Sequence, residues 1–150
     1  LLNRRQILKV GSQAAAVATL LRSGGSFSWA DDAGASKLAG KKILFFSKSA
    51  GFEHDVAKRM DGNTSFSERI MSKLAQKYGF DLTTSKDGTI FDQDFDQFDC
   101  FYFYTSGNLC DPNVGNAATE PPMTEKGKAN LLQAIADGKG FVGNHCASDT

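Results

Sequence analysis

The sequence lacks the framework motifs of phosphate-loop and disulfide-rich proteins. No Gly-x-x-x-x-Gly-Lys-Ser/Thr segment occurs among its 150 residues, so the class of proteins defined by that phosphate-binding loop is excluded. Three cysteines are present. They cannot all pair with one another, and their spacing matches no disulfide framework and no Cys-x-x-Cys metal motif. A bridge between Cys100 and Cys110 stays open, because an oxidising compartment would permit it.

Long hydrophobic runs are also missing. The apolar stretch over residues 10–21 is about half as long as the roughly 20 residues that span a bilayer, so no stable membrane anchor is predicted. Arg4 and Arg5 precede this stretch, and Ala30 ends a small-x-small cleavage pattern. This arrangement is typical of a twin-arginine signal peptide over residues 1–30. It predicts recognition by the twin-arginine export machinery and a periplasmic or secreted product.

Neither charge is in excess, since 17 basic side chains balance 17 acidic ones. Residues 1–30 hold four of the basic side chains and no carboxylate, so their removal leaves 13 basic groups against 17 acidic ones. The remainder has no basic patch for nucleic acid and no basic amphipathic helix for a membrane surface. Residues 31–40 are small and polar and predict a flexible leader.

The two ends of the sequence predict that it is part of a longer chain. It begins at Leu1 rather than at methionine, and it ends at Thr150, just beyond a predicted strand. About 120 residues follow the predicted signal peptide, which is enough to bury a core. We expect residues 41–150 to be the N-terminal part of a domain that continues.

Predicted strands and helices alternate over this region. Apolar or β-prone runs predict strands at residues 41–47, 80–85, 100–104 and 141–142. Ser65 and Glu68 form a capping box that starts a helix over residues 66–78. A second helix begins at Thr124 and is closed by Gly138. This order favours an α/β fold, a three-layer α/β/α sandwich with a mostly parallel, flavodoxin-like sheet.

An acidic stretch lies between the second and third predicted strands. Residues 87–99 contain five aspartates with interleaved phenylalanines. Their spacing lacks the glycine and the final glutamate of a calcium-binding loop, so no calcium site is predicted. The phenylalanines indicate a short helix or turn packed against the sheet.

Only two histidines are present, and each follows a predicted buried strand. His54 comes after the first strand and His145 after the fourth. Ligands of doubly wound sheets bind beyond the carboxyl ends of the strands, so the two imidazoles are candidates for one shared site. A single histidine more often caps a turn or packs on a loop, and that alternative stays open for each.

The fourth strand leads into a sharp turn. Residues 143–147 have the small-x-X-x-small spacing of a strand-turn-helix elbow, which presents its middle side chain in the cleft. That side chain is His145, while Cys146 comes one place later. Cys146 is therefore a small buried residue, a substrate contact or a nucleophile with a separate base. The amides of Cys146 and Ala147 are candidate donors to an oxyanion or a sugar carbonyl.

Other turns supply polar groups. Gly107, after the third strand, would let a substrate approach the backbone, and Asn108 supplies an amide. Asp149 is a further candidate for substrate binding. A metal held by His54, His145 and a carboxylate such as Asp149 is an alternative, but two histidines far apart in sequence do not identify a site. We therefore assign no metal and no cofactor.

Several segments resemble the trehalose-utilisation (ThuA-like) domain. They are residues 42–46, 51–54, 98–101, 106–107 and 138–149, of which the last is the most specific. The resemblance spans residues 41–150, about the first half of that domain. It implies the class I glutamine amidotransferase-like fold and an association with sugar metabolism, including oxidised (3-keto) glycosides.

The resemblance also places individual residues. The family's Phe-x-His turn matches Phe52 and His54, and its Gly-x-His block matches Gly143 and His145. His145 stands where amidotransferases have their cysteine nucleophile, which implies that glutaminase activity is not retained.

We therefore expect an exported domain that acts on a small-molecule carbohydrate. His54 and His145 would be acid/base or ligand groups in a crevice beside Gly107. Unperturbed imidazole titrates at about pH 6.5, which suits proton transfer next to a sugar carbonyl. Two alternatives stay open: a noncatalytic carbohydrate-binding module of a larger secreted protein, and a hydrolase that uses Cys146 as nucleophile.

Overall fold

The structure is a computed structural model that describes residues 37–60, 62–113 and 120–150. The signal peptide predicted over residues 1–30, and most of the leader predicted over residues 31–40, lie outside the described residues. Within the described part of the chain, no helix is both long enough and apolar enough to cross a membrane.

A parallel sheet of four strands forms the centre of the domain. The strands are β1 (Lys42–Phe46), β2 (Asp81–Ser85), β3 (Cys100–Phe103) and β4 (Gly140–Gly143). Their spatial order is β2-β1-β3-β4, and every neighbouring pair is parallel. The predicted α/β fold with a parallel sheet is confirmed. All four carboxyl ends meet at one edge of the sheet.

Two helices connect the strands, α1 (Phe66–Tyr78) and α2 (Glu125–Ala136). The predicted capping box at α1 is present: the Ser65 hydroxyl accepts from the Glu68 amide, and the Glu68 carboxylate accepts from the Ser65 amide at 2.7 Å. At α2, the Thr124 hydroxyl accepts from the amide of Gly127 at 2.9 Å. These caps satisfy amides that have no partner within the helix.

The helices lie on opposite faces of the sheet. Phe46 of β1 belongs to the same apolar cluster as Leu131 of α2, whereas Phe45 belongs to the cluster that contains Met71 of α1. Because successive strand side chains point to opposite faces, the two clusters are separate cores. This confirms the predicted three-layer arrangement.

Two of the cysteines lie on opposite faces of the sheet. Cys100 packs against the cluster on the α1 face, and Cys110 packs against the cluster on the α2 face. All three cysteines are free thiols. The bridge that the sequence left open between Cys100 and Cys110 is not formed.

The acidic stretch folds as two short 3-10 helices, Gly88–Phe91 and Asp94–Gln97. Phe91 is fully buried in the core on the α2 face. The short helix predicted from the interleaved phenylalanines is thus found, in two pieces, and it connects the edge strand β2 to β3.

Candidate functional site

The turns after β1 and β3 are joined at the carboxyl edge of the sheet. Ser49 and Ser106 form an isolated parallel bridge, and the Ala50 amide donates to the Ser106 carbonyl at 2.7 Å. The Ser106 hydroxyl donates to the carbonyl of Phe52 at 2.8 Å. These bonds hold the segment before His54 over the end of β3.

The structure explains the glycine at position 107 differently from the sequence analysis. Its φ is +70°, and a Cβ there would lie 2.8 Å from the Ala50 carbonyl oxygen. The sequence predicted that Gly107 leaves room for a substrate. In the structure the backbone of Ala50 occupies that room, so the glycine permits close packing of two turns.

The elbow after β4 has unusual backbone geometry. His145 has a φ of +58° and is the one non-glycine residue with positive φ in the described part of the chain. It starts a 3-10 helix, His145–Asp149. The left-handed conformation costs an L-residue about 1–2 kcal/mol, and such strain is concentrated at functional sites. The turn presents the exposed imidazole of His145 above the sheet edge.

The structure brings both histidines and Cys146 into one group, which we call the His-His-Cys cluster (His54, His145 and Cys146). The two imidazole rings lie edge to face, with centroids 4.6 Å apart and an interplanar angle of 78°. The Cys146 Sγ lies 2.7 Å from His145 Nδ1 and 3.8 Å from His54 Nε2. The sequence paired the histidines but did not predict that one thiol contacts both.

Aromatic rings surround the cluster. Phe52, which is 73% exposed, packs edge-on against His54 with centroids 4.9 Å apart. Tyr104 lies 6.5 Å from the His54 ring and 5.9 Å from the His145 ring. Sequence reasoning missed Tyr104 as a site residue; its position at the end of an aromatic run, beside the sheet edge, was the available signal.

Two cavities lie near this edge, one on each face of the sheet, and none of the three cluster residues lines either of them. The cavity on the α1 face has a volume of about 260 Å³ and is lined by Tyr104, Asn144 and apolar side chains of α1. The cavity on the α2 face has a volume of about 360 Å³, and its lining includes Asn108 and Ala147. The first therefore opens next to a tyrosine that contacts both imidazoles.

The other predicted site residues lie around the cluster rather than in it. The Asn108 Oδ1 accepts from the amide of Cys110 at 3.1 Å and so stabilises its own turn. Asp149 is exposed and is not a member of the cluster. The Ala147 amide donates to the Asn144 carbonyl at 3.2 Å. That amide is thus already paired within the turn.

Two lysines buried behind the turn of His54 were not predicted at all. Lys48 and Lys86 are 0% and 1% exposed. Lys86 Nζ lies 2.5 Å from a carboxylate oxygen of Glu53, and Lys48 donates to the carbonyl of Glu120. Burial lowers the pKa of Lys48; Glu120 opposes this shift and the charge of Lys86 adds to it. The Lys86–Glu53 pair anchors the residue directly before His54.

The fold shows whether a glycine pattern near β4 could bind a dinucleotide. Residues 138–143 have the spacing Gly-x-Gly-x-x-Gly, which in dinucleotide-binding proteins follows a strand and opens a helix. Here Gly140 and Gly143 are the first and last residues of β4. The pattern therefore begins in the turn after α2 and ends with β4, so it is not the turn between a strand and a helix that binds phosphate.

A scan against protein-family models, a search of curated proteins and a search of solved structures each gave no match. Fold and site together define a three-layer α/β domain with a His-His-Cys cluster at the carboxyl edge of its sheet.

Proposed function

We propose that this domain acts on a carbohydrate and that His54 and His145 are its acid/base or ligand groups. The observation that carries the proposal is the edge-to-face contact of the two imidazoles, 4.6 Å between centroids, at the carboxyl ends of β1 and β4. Two turns far apart in sequence supply the pair. The resemblance to ThuA-like domains supports the carbohydrate substrate.

Their proximity suits the pair to acid/base work. The ring centroids are 4.6 Å apart, so both imidazoles can reach one bound substrate. An imidazole nitrogen can accept a proton and an imidazole N–H can donate one, as general acid/base catalysis requires.

The surroundings suit a sugar ring. The exposed face of Phe52 next to His54 offers an apolar surface for the C–H groups of a sugar, and Tyr104 adds a polar hydroxyl at the end of an apolar ring. An apolar wall with a few polar groups is the usual lining of a small-molecule site.

The test is turnover by the full chain and by His54→Ala and His145→Ala, over a panel of glycosides and 3-keto-glycosides. We expect each variant to lose at least about 100-fold in rate, the usual contribution of a positioned acid or base, with an unchanged unfolding curve. Ser148→Ala, an exposed position on the same 3-10 helix, is the control and keeps full activity. Full activity in His145→Ala contradicts the proposal. Binding without turnover by the parent protein favours a carbohydrate-binding module.

A second candidate function is a hydrolase of amides or esters with Cys146 as nucleophile. The 2.7 Å contact between Cys146 Sγ and His145 Nδ1 favours it, because an adjacent imidazole can accept the proton of a thiol nucleophile. We expect iodoacetamide to modify Cys146 before Cys100 and Cys110, since burial raises the pKa of both of those thiols. Substrate-protected loss of activity on alkylation supports the nucleophile, and an active Cys146→Ser variant excludes it.

A further inference from the structure

The three members of the His-His-Cys cluster present one ligand atom each to a common space. An imidazole nitrogen from each histidine and the Cys146 Sγ all lie within 4.8 Å of one another. His54 and Cys146 are half-buried and His145 is exposed, so this space opens to solvent. The sequence analysis named Asp149 as a candidate third ligand beside the histidines. In the structure, Cys146 is the third potential ligand.

We propose that the His-His-Cys cluster binds a zinc ion. Two imidazoles and one thiolate are borderline-soft donors that suit Zn²⁺ better than Mg²⁺ or Ca²⁺. Three protein ligands leave the fourth tetrahedral position open, which distinguishes catalytic zinc sites from closed structural ones. On binding, the Cys146 thiol loses its proton to solvent as the Zn–S bond forms.

The distances between the sulfur and nitrogen atoms of the cluster are close to those around a bound zinc ion. With Zn–S at about 2.3 Å and Zn–N at about 2.0 Å, the sulfur and nitrogen ligands of a tetrahedral ion are about 3.5 Å apart. The separation of Cys146 Sγ and His54 Nε2 is 3.8 Å. The hydrogen-bonded separation of Cys146 Sγ and His145 Nδ1 is 2.7 Å and has to widen by about 1 Å.

The elbow explains how neighbouring residues both reach the ion. In an extended segment, adjacent side chains point to opposite sides. The chain turns sharply at His145, which has a φ of +58°, and continues as the 3-10 helix His145–Asp149. His145 and Cys146 therefore do not lie in an extended segment, and their side chains are in contact. The left-handed conformation of His145, which costs energy, thus occurs where two candidate ligands, His145 and Cys146, lie side by side.

Phe52 and Tyr104 lie beside the cluster. A zinc ion there would polarise a carbonyl or hydroxyl oxygen of a bound substrate. This catalytic use rests on the proposed function, and in it the histidines are ligands rather than acid and base. Zinc binding itself does not depend on the substrate class.

The experiment uses the full chain, purified with reductant and stripped of metal by chelation. We expect it to bind one equivalent of Zn²⁺ with release of protons. Co²⁺ should bind at the same site and give an intense near-ultraviolet thiolate-to-cobalt charge-transfer band. Cys146→Ser should lose that band, and Cys110→Ser, with its thiol on another turn, should keep it. His54→Ala and His145→Ala should each weaken Zn²⁺ binding at least about tenfold.

A second measurement covers the case in which a variant fails to fold. In the parent protein, Zn²⁺ should protect Cys146 from iodoacetamide but leave the alkylation of Cys110 unchanged. No stoichiometric binding, a band that survives Cys146→Ser, or equal protection of both cysteines overturns the zinc site. These readouts contain no carbohydrate. If zinc binds but no glycoside is turned over, only the proposed function is contradicted. If the metal-stripped protein still turns over a glycoside and does not bind zinc stoichiometrically, only the zinc site is contradicted.

Discussion

Single residues with left-handed backbones shape this site in two different ways. Gly107 has a φ of +70°, and the Ala50 backbone leaves no room for a side chain at this position, so packing requires a glycine here. His145 takes φ +58° although it has a side chain, and it places that side chain against His54 and Cys146. Packing therefore explains why position 107 is a glycine. At His145, the contacts of the side chain with His54 and Cys146 explain the left-handed backbone.

Gly107→Ala should therefore be strongly destabilising. The variant meets both the left-handed strain of about 1–2 kcal/mol and a contact of 2.8 Å with the Ala50 carbonyl oxygen, which adds about 1–3 kcal/mol of overpacking. We expect a loss of about 2–5 kcal/mol in the free energy of unfolding, measured by urea denaturation. Gly40→Ala is the matched control, because Gly40 has φ +73° with no atom within 4 Å of a Cβ; it should lose only about 1–2 kcal/mol. Equal losses in the two variants would show that the Ala50 contact is easily relieved.

Among the elements, α1 is the one that local sequence determines best. Its capping box and the glycine that ends it, Gly79, both lie within residues 65–79, so the sequence predicted its bounds as the structure has them. What local sequence did not predict is the partner of the buried Glu68. Arg59, nine positions earlier in the turn after β1, donates to Glu68 from Nε at 2.9 Å, and that contact depends on the tertiary fold.

Glu68 gives this element a pH dependence. Burial by itself would raise the pKa of Glu68, but hydrogen bonds from Arg59 and Ser65 outweigh it and hold the pKa below the usual 4.5. A carboxyl with a lowered folded pKa adds stability above its unfolded value, and that stability disappears as the pH falls through the folded value. Glu68→Gln should lose about 2–3 kcal/mol at about pH 7, and the difference from the parent should shrink below about pH 4.5.

Urea denaturation of both proteins across this pH range tests the expectation. Glu125→Gln is the control, because Glu125 is the exposed acidic residue in the first turn of α2. Its loss should be below about 1 kcal/mol, the size of a helix-dipole interaction. A Glu68→Gln loss that stays constant down to about pH 3 would assign the effect to packing rather than to the carboxylate charge.

At the scale of the whole molecule, the sequence predicted the parallel sheet because each β-prone run is short and is separated from the next by a helix or a turn. It also placed both histidines at strand ends, where a parallel sheet brings its carboxyl edges together. The contact of Cys146 with both imidazoles was missed, because it depends on the geometry of the turn after β4 and on the packing of that turn against the turn of His54. Lys48 and Lys86 were missed because lysines near strand ends usually reach solvent. Here Lys86 is buried and pairs with Glu53.

The proposed export of the whole chain can be tested apart from its chemistry. Arg4 and Arg5, the weakly hydrophobic residues 10–21 and the cleavage pattern at Ala30 are features that a folded-protein export route recognises. We expect a reporter fused to residues 1–36 to reach the periplasm, and we expect replacement of both arginines by lysine to keep it in the cytoplasm. Lys9→Arg, which preserves charge outside the pair, is the control and should be exported normally. Export that continues without the arginine pair would show that residues 1–30 act as a general signal peptide with an ordinary basic start. An uncleaved reporter in the membrane fraction would show that the segment acts as an anchor.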